Sequence, residues 1–410
     1  MEIVRAAIQK RNSVIMRFRW VTPVLLWVAG CSNPGGEPSP YARLDTLAEG
    51  RIQVTNLGQE RWSAGTPWRF EEDFRLGTAA QDGPEEEQFG RITSLVSDSL
   101  GRVFVLDALD QEIRVFDSAG TFLHRIGAEG EGPGEFTSAS EINIGPGGDL
   151  WVLDDGMSRY TVFDLDGTLK TIFPRRIIGR YSAFKGGVLK DGTYVDWGIE
   201  FPDGRFGSRS FFHPVLFPPG SESMDSLPRI EFHWEMMAGG QMPLQYFGGF
   251  PVAAVDTKGQ IWFAESREYR VFRRSLEGDT SLVFTLPGTA RPVTEKDRQF
   301  VANQPFRSTT RLNEALESLP ETKPILYRIV PDNSGHLFVF VDLEGEPEGS
   351  VVDVFQESGE FMGRMHLPLP VVLSSRGSPI AYADSEHLYV VITDDLDVPY
   401  VSRLRILKEE

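Results

Sequence analysis

One cysteine, Cys31, stands in 410 residues, so no internal disulfide can staple this chain and any fold must rest on its own core. The six histidines (His124, His213, His233, His336, His366 and His387) never fall at HxH or HExxH spacing, which leaves no local metal-ligand pair. No GxSxG elbow occurs, and a nucleophilic mechanism has no local support. Basic charge is in deficit: 41 Lys and Arg against 59 Asp and Glu give a net charge of −18, which argues against nucleic acid and against docking on anionic lipid by charge. Helical periodicity is scarce, and no apolar run is long enough to cross a bilayer comfortably.

What is abundant is Gly (41) and Pro (27), set between short β-branched and aromatic segments. One pattern is written twice. Gly101-Arg102-Val103-Phe104-Val105-Leu106-Asp107 matches Gly148-Asp149-Leu150-Trp151-Val152-Leu153-Asp154. Val115-Phe116-Asp117-Ser118-Ala119-Gly120 matches Val162-Phe163-Asp164-Leu165-Asp166-Gly167. Both pairs stand 47 residues apart, from Gly101 to Gly148 and from Val115 to Val162. A period of about 40–50 residues made only of short strands is the mark of propeller blades. Second strands begin near Gly101, Gly148, Gly192, Gly259, Gly335 and Glu386, which makes six units.

The sixth unit has three strands before the sequence stops at Glu410. An unfilled blade leaves an open edge. Trp68 to Leu76 reads as an outer strand without a blade of its own, and it is expected to fill that gap and close the ring. Gln81 to Gly90 reads as an acidic, solvated loop, and Gly127 to Phe136 as a linker rather than a phosphate cradle, because it opens no helix and carries three acids. Between units four and five, Thr294 with Asp297 and the helical spacing of Leu312, Ala315, Leu316 and Leu319 predict a helical insertion over 294–319.

The first residues predict an address. Arg17 and Arg19 precede the apolar run Trp20 to Val28, and Val28-Ala29-Gly30-Cys31 matches a bacterial lipobox. The expected organisation is a signal peptide over 1–30, a tether and leader over 31–66, and the propeller over 67–410. Lipid on Cys31 would make the membrane a partner, on the outer membrane facing the periplasm or the cell surface. Without residues 1–30 the net charge moves from −18 to −22, because that segment holds five basic residues and one acidic one.

The repeats GRVFVLDALDQEIRVFDSAGTFLHRIG and GDLWVLDDGMSRYTVFDLDGTLKTIF, joined by GEGPGEF, resemble NHL-type repeats. With the lipobox, the chain is similar to bacterial six-bladed β-propeller lipoproteins. The resemblance covers about residues 68–408. It implies an all-β ring, NHL/TolB-like, with innermost strands around a water-filled axis. It does not imply one activity, since propellers serve as binding modules, lactonases and lyases.

The leading expectation is a non-enzymatic binding or scaffold module for a protein, peptide or carbohydrate ligand, present as a monomer, without cofactor and without nucleic acid. Arg180, Tyr181, Tyr246, Tyr327 and Arg328, with Trp197 and Trp234, are the residues expected at the mouth of the axis. There cations and rings together suit an anionic or sugar-like ligand. Asp107, Asp154 and Glu265 close the second strand of their units and are followed by Arg114, Arg159 and Arg270. Their recurrence marks them as structural clips. The alternative is a metal-dependent hydrolase or lactonase with a divalent cation held on the axis by acids from separate blades. A third possibility is a docking module that uses the 294–319 insertion.

Overall fold

The computed structural model describes residues 39–62, 66–80, 83–175, 186–200, 209–218, 225–226, 229–233, 246–306, 308–373 and 380–408. The expected signal peptide and Cys31 lie outside them.

Two leader strands, β1 (Ala42–Thr46) and β2 (Ile52–Asn56), precede a third, β3 (Arg69–Leu76). The first blade is β4 (Ile92–Ser97), β5 (Val103–Asp107), β6 (Glu112–Phe116) and β7 (Phe122–Ile126). The second is β8 (Ala139–Ile144), β9 (Asp149–Asp154), β10 (Arg159–Asp164) and β11 (Leu169–Pro174). The third is β12 (Gly187–Val188), β13 (Tyr194–Glu200) and β14 (Arg209–Phe217), whose outer edge is shared by β15 (Asp225–Ser226) and β16 (Ile230–His233). The fourth is β17 (Pro251–Val255), β18 (Ile261–Glu265), β19 (Arg270–Arg274) and β20 (Thr280–Thr285). Two helices follow, α1 (Glu295–Ala302) and α2 (Thr309–Glu317). The fifth is β21 (Leu326–Pro331), β22 (His336–Val341), β23 (Val351–Gln356) and β24 (Phe361–His366). The sixth is β25 (Ala381–Ala383), β26 (His387–Thr393) and β27 (Pro399–Leu407).

Each blade is an antiparallel meander. Neighbouring first strands touch around a ring: β4 with β8, β8 with β12, β17 with β21, β21 with β25, and β25 with β4. The architecture is a six-bladed propeller. Burial follows from it. A second strand such as β5 is buried at every residue, because both faces of its sheet lie against other blades, and it reads as a continuous apolar run. The outer strand β7 alternates between partly buried and exposed positions up to Ile126, which is buried. The turn from first to second strand is set by Asp98, whose Oδ1 accepts from Leu100 N (3.0 Å) and Arg102 N (2.8 Å) while Gly101 takes φ +75°.

β27 pairs with β3 over Val401↔Leu76 to Leu407↔Arg69, so strands from both ends of the sequence complete the sixth blade. The leader is more than a tether. β2 pairs in parallel with β20, Val54 is fully buried, and β1 adds a sixth strand to that sheet. Beyond it, Asn56 accepts from Phe361 N (2.8 Å) and donates to Gly359 O (2.9 Å), and the Trp62 ring lies against Gly363 of the fifth blade. Residues 39–62 thus strap the fourth blade to the fifth. A lone pair of short strands has no period of its own, and its partner lies far along the sequence, which is why 31–66 reads as tether and leader, with a short strand at Arg51 to Leu57 one option, and not as part of a blade.

Within the expected 81–90 loop, the described residues 83–90 are likewise anchored. Phe89 is buried, and Arg114 Nη1 donates to Gln88 O at 2.8 Å. The same construction recurs one blade on, with Phe136 buried and Arg159 Nη2 donating to Glu135 O at 2.8 Å. Gly83-Pro84 to Phe89 and Gly132-Pro133 to Phe136 are two copies of one linker.

The insertion is a pair of short helices. Thr294 and Asp297 form a capping box at α1. Lys323, buried, bridges Asp297 (2.7 Å) and Glu348 (2.8 Å) and ties the insertion to the fifth blade.

Candidate functional site

The six first strands enclose an axial cavity of about 840 Å³. A strand lining an axis presents every second residue to it. Three of the six carry an irregularity of register that re-aims one side chain: between Ile92 and Ser94, between Ala139 and Glu141, and between Leu326 and Arg328. Ser94, Glu141 and Arg328 therefore stand at one level of the ring, each opposite the residue one before the end of its second strand. Val252 occupies the matching place in β17. These four positions hold one acid and one base beside a serine and a valine. Blades two and five are three apart in a ring of six, so Glu141 and Arg328 face each other across the axis.

Both charges are held from the side. Glu141 is 4% exposed and accepts from Asn143 Nδ2 at 2.6 Å. Arg328 Nη2 donates to Ala381 O of the sixth blade at 3.1 Å, while its buried Nε has no partner among the described residues. Burial pulls the Arg328 pKa down to about 10, against the opposing pull of Glu141, and the guanidinium stays charged at neutral pH. Ser94 Oγ accepts from Ile142 N at 3.1 Å, and Tyr382 Oη donates to Ser97 O at 3.2 Å. These bonds stitch first strands that share no ladder.

The acids at the two ends of the cavity are already engaged. Asp98 Oδ2 meets Arg102 Nε (2.7 Å), Asp256 Oδ2 meets Trp262 Nε1 (3.0 Å), and Asp332 Oδ2 meets His336 Nδ1 (2.9 Å). At the opposite end Asp155 pairs with Arg175 Nη1 (2.7 Å) while Nε and Nη2 of the same guanidinium hold Asp196, and burial raises the Asp155 pKa. Among the described residues no group of three or more His, Cys, Asp and Glu is placed to hold a metal ion.

Of the seven residues expected at the mouth, Arg328 lines the axis. Arg180, Tyr181 and Trp234 lie outside the described residues. Trp197 is instead fully buried with Phe212 and Ile261 between blades three and four, because its alternation in β13 turns it to the seam. Tyr327 is also buried, 5.7 Å from the Phe250 ring centre, since it is the residue passed over where β21 shifts register to present Arg328. Tyr246 meets Phe300 and Phe306 of the insertion, both at 6.3 Å.

Asp107 and Asp154 clip the start of their blades. Asp107 accepts from the backbone of Gly90 (2.6 Å), Arg91 (2.9 Å) and Leu109 (2.9 Å), and Asp154 from Thr137 (2.9 Å), Ser138 (3.2 Å) and Met157 (3.1 Å). In the fourth blade Ser266, the residue after Glu265, makes the matching bond, its Oγ accepting from Phe250 N at 2.8 Å. The arginines also hold the linkers: Arg114, whose Nη2 is 3.7 Å from Asp107, pairs with Asp110 and with Glu112 (2.7 Å) besides its bond to Gln88 O, and among the described residues Arg159 Nη2 donates to the carbonyls of Gly132 and Glu135. Arg270 lies over the Phe272 ring at 5.2 Å.

Glu141 and Ser94 were missed by sequence reasoning, although a signal existed. The 47-residue period that aligns Gly101 with Gly148 also aligns Ser94 with Glu141, each a polar residue heading an apolar first strand.

Comparison with known proteins bears on the fold. A family described as a 6-bladed beta-propeller matches residues 84–173, across the first and second blades. No curated protein sequence matches the chain. Among solved structures, a protein of Bacteroides fragilis described as exported is 13% identical, covers 87% of this chain and 100% of its own, and superposes with a TM-score of 0.51. Virginiamycin B lyase from Staphylococcus aureus (11% identity, 83% and 100% covered, TM-score 0.45) and a gluconolactonase from Xanthomonas campestris (12%, 85% and 98%, 0.43) show looser likeness, which carries no chemistry across. With six sheets set around one axis, the sixth completed by strands from both ends of the sequence, the chain is a six-bladed β-propeller.

Proposed function

We propose that this propeller is an exported, lipid-tethered binding module that holds a small polar ligand, a peptide end or a sugar acid, on its axis. The observation that carries the reading is the pairing of Glu141 with Arg328 across a cavity of about 840 Å³. A guanidinium whose buried Nε–H has no partner among the described residues on one wall, and a carboxylate on the other, would fix the orientation of a ligand of that size. The acids at both mouths hold their own turns or arginines, which supports binding over metal-assisted hydrolysis. Export and the anchor rest on Val28 to Cys31; the likeness to a protein described as exported accords with them.

The test is a thermal-shift and calorimetry screen of the full chain with dipeptides, sugar acids, neutral sugars and divalent cations. A ligand that binds wild type should lose about tenfold or more in affinity on Arg328→Met, the worth of one charge-assisted contact. Binding left intact by Arg328→Met and by Glu141→Gln would reject the axis as the site. Stabilisation by a divalent cation alone would favour the hydrolase.

A further inference from the structure

Among the described residues, the leader hairpin leaves one strand with an unpaired side: β1 is the last strand of the six-stranded sheet of the fourth blade and pairs there only with β2. Edges of this kind are usually blunted by proline, a bulge or lysine. β1 reads Ala-Arg-Leu-Asp-Thr, and its ladder with β2 runs without a register shift.

The hydrogen-bond phase of that edge can be read directly. Leu57 N donates to Tyr41 O (2.8 Å), and Leu47 N donates to Arg51 O (2.7 Å). Odd-numbered residues of β1 therefore turn their backbone groups to β2, and Ala42, Leu44 and Thr46 turn theirs outward. On the side-chain faces, Leu44 and Ile52 are 60% and 40% exposed on the face that carries Val54. Arg43 and Asp45 are exposed on the other face, and neither side chain has a partner among the described residues.

We infer that β1 is the interface for a second copy of this chain, paired antiparallel about a twofold axis through Leu44. This goes against the single-copy expectation, and it is independent of the axial site. In that register Ala42 faces Thr46 of the other copy and Leu44 faces Leu44, so every outward N–H and C=O is matched. Arg43 then stands directly across from Asp45, twice, at the closer, non-hydrogen-bonded spacing where side chains interact most. Sliding the strands by two residues also matches the backbone, but it sets Arg43 on Arg43 or Asp45 on Asp45. The charges thus select one register among those the backbone allows. Leu44 and Ile52 of both copies form a small apolar strip on the opposite face. A five-residue edge buries less than a standard interface of about 1,600 Å², so association is weak in free solution. A shared membrane anchor would raise the effective concentration of partners.

The test uses the full chain with Cys31→Ser, so that an introduced cysteine is alone. Opposed residues in a hydrogen-bonded pair stand about 5.5 Å apart, within disulfide range. Leu44→Cys should form a disulfide dimer on mild oxidation about tenfold faster than Leu100→Cys, a more exposed leucine on a turn of the first blade (72% exposed). Adding Arg43→Asp should slow that cross-linking about fivefold, and Arg43→Asp with Asp45→Arg should restore it, because the swapped pair is again self-complementary. Equal rates for Leu44→Cys and Leu100→Cys, or a charge swap as slow as the single substitution, would overturn the inference. The Leu100→Cys control and the swap keep the result readable even if one variant is poorly folded.

Discussion

Replacing Leu76 by alanine tests the closure of the ring where it is made. Leu76 is the last residue of β3, is 2% exposed, and pairs with Val401 of β27. It belongs to the core that joins the sixth blade to the first, with Phe89, Ile92, Leu95, Val103, Val105, Phe116 and Tyr389, and its side chain reaches the turn at Gly120. Neighbours contributed by two blades cannot collapse freely into the space left by three carbons, so the loss should be about 3 kcal/mol. For a chain of this size that is a fall of roughly 3–6 °C in Tm. Leu123→Ala on the outer strand β7, where the leucine is 45% exposed, is the control and should stay within about 0.5 kcal/mol. Differential scanning calorimetry at matched scan rates measures both, and light scattering adds a second reading, since a β27 released from β3 presents an open edge. If Leu76→Ala moved Tm no further than Leu123→Ala, β3 would not be what closes the ring.

Gly363→Ala tests the strap. A Cβ there would stand 2.1 Å from the Trp62 ring, so the ring must leave, at a cost of about 1–3 kcal/mol, and limited proteolysis should cut within residues 39–62 faster than in wild type. His213 bears on pH. It is 7% exposed, its Nδ1 has no partner among the described residues, and burial lowers its pKa, with Glu200 pulling up and Arg229 pushing down. A folded-state pKa below the unfolded value means the unfolded chain takes up the proton first, so this group costs nothing above about pH 6.5 and erodes stability as pH falls below it. Tm should drop more steeply between pH 7.5 and 5.5 in wild type than in His213→Phe; parallel curves would remove His213 from the account.

Much of the ring was legible from residue order because its cause is local and repeated. Asp98 to Gly101 dictates a turn by its own side-chain and backbone demands, and the same demand recurs wherever a blade begins again. The apolar run of β5 announces a strand covered on both faces, and the need of β27 for a partner pointed to Trp68 to Leu76. The capping pair Thr294 and Asp297 likewise acts within one turn of helix.

The leader, the linker before the first blade and the axial site were decided elsewhere. β2 is a strand because β20, some 230 residues away, offers an edge and a groove for Val54, and no local pattern records that partner. Trp197 and Tyr327 carry the chemistry of a binding face, yet alternation and one register shift turn both into seams. The same shift swings Arg328 into the axis. That Glu141 stands across from it depends on six blades closing a circle, which places residues of the second and fifth face to face only once the whole ring has formed.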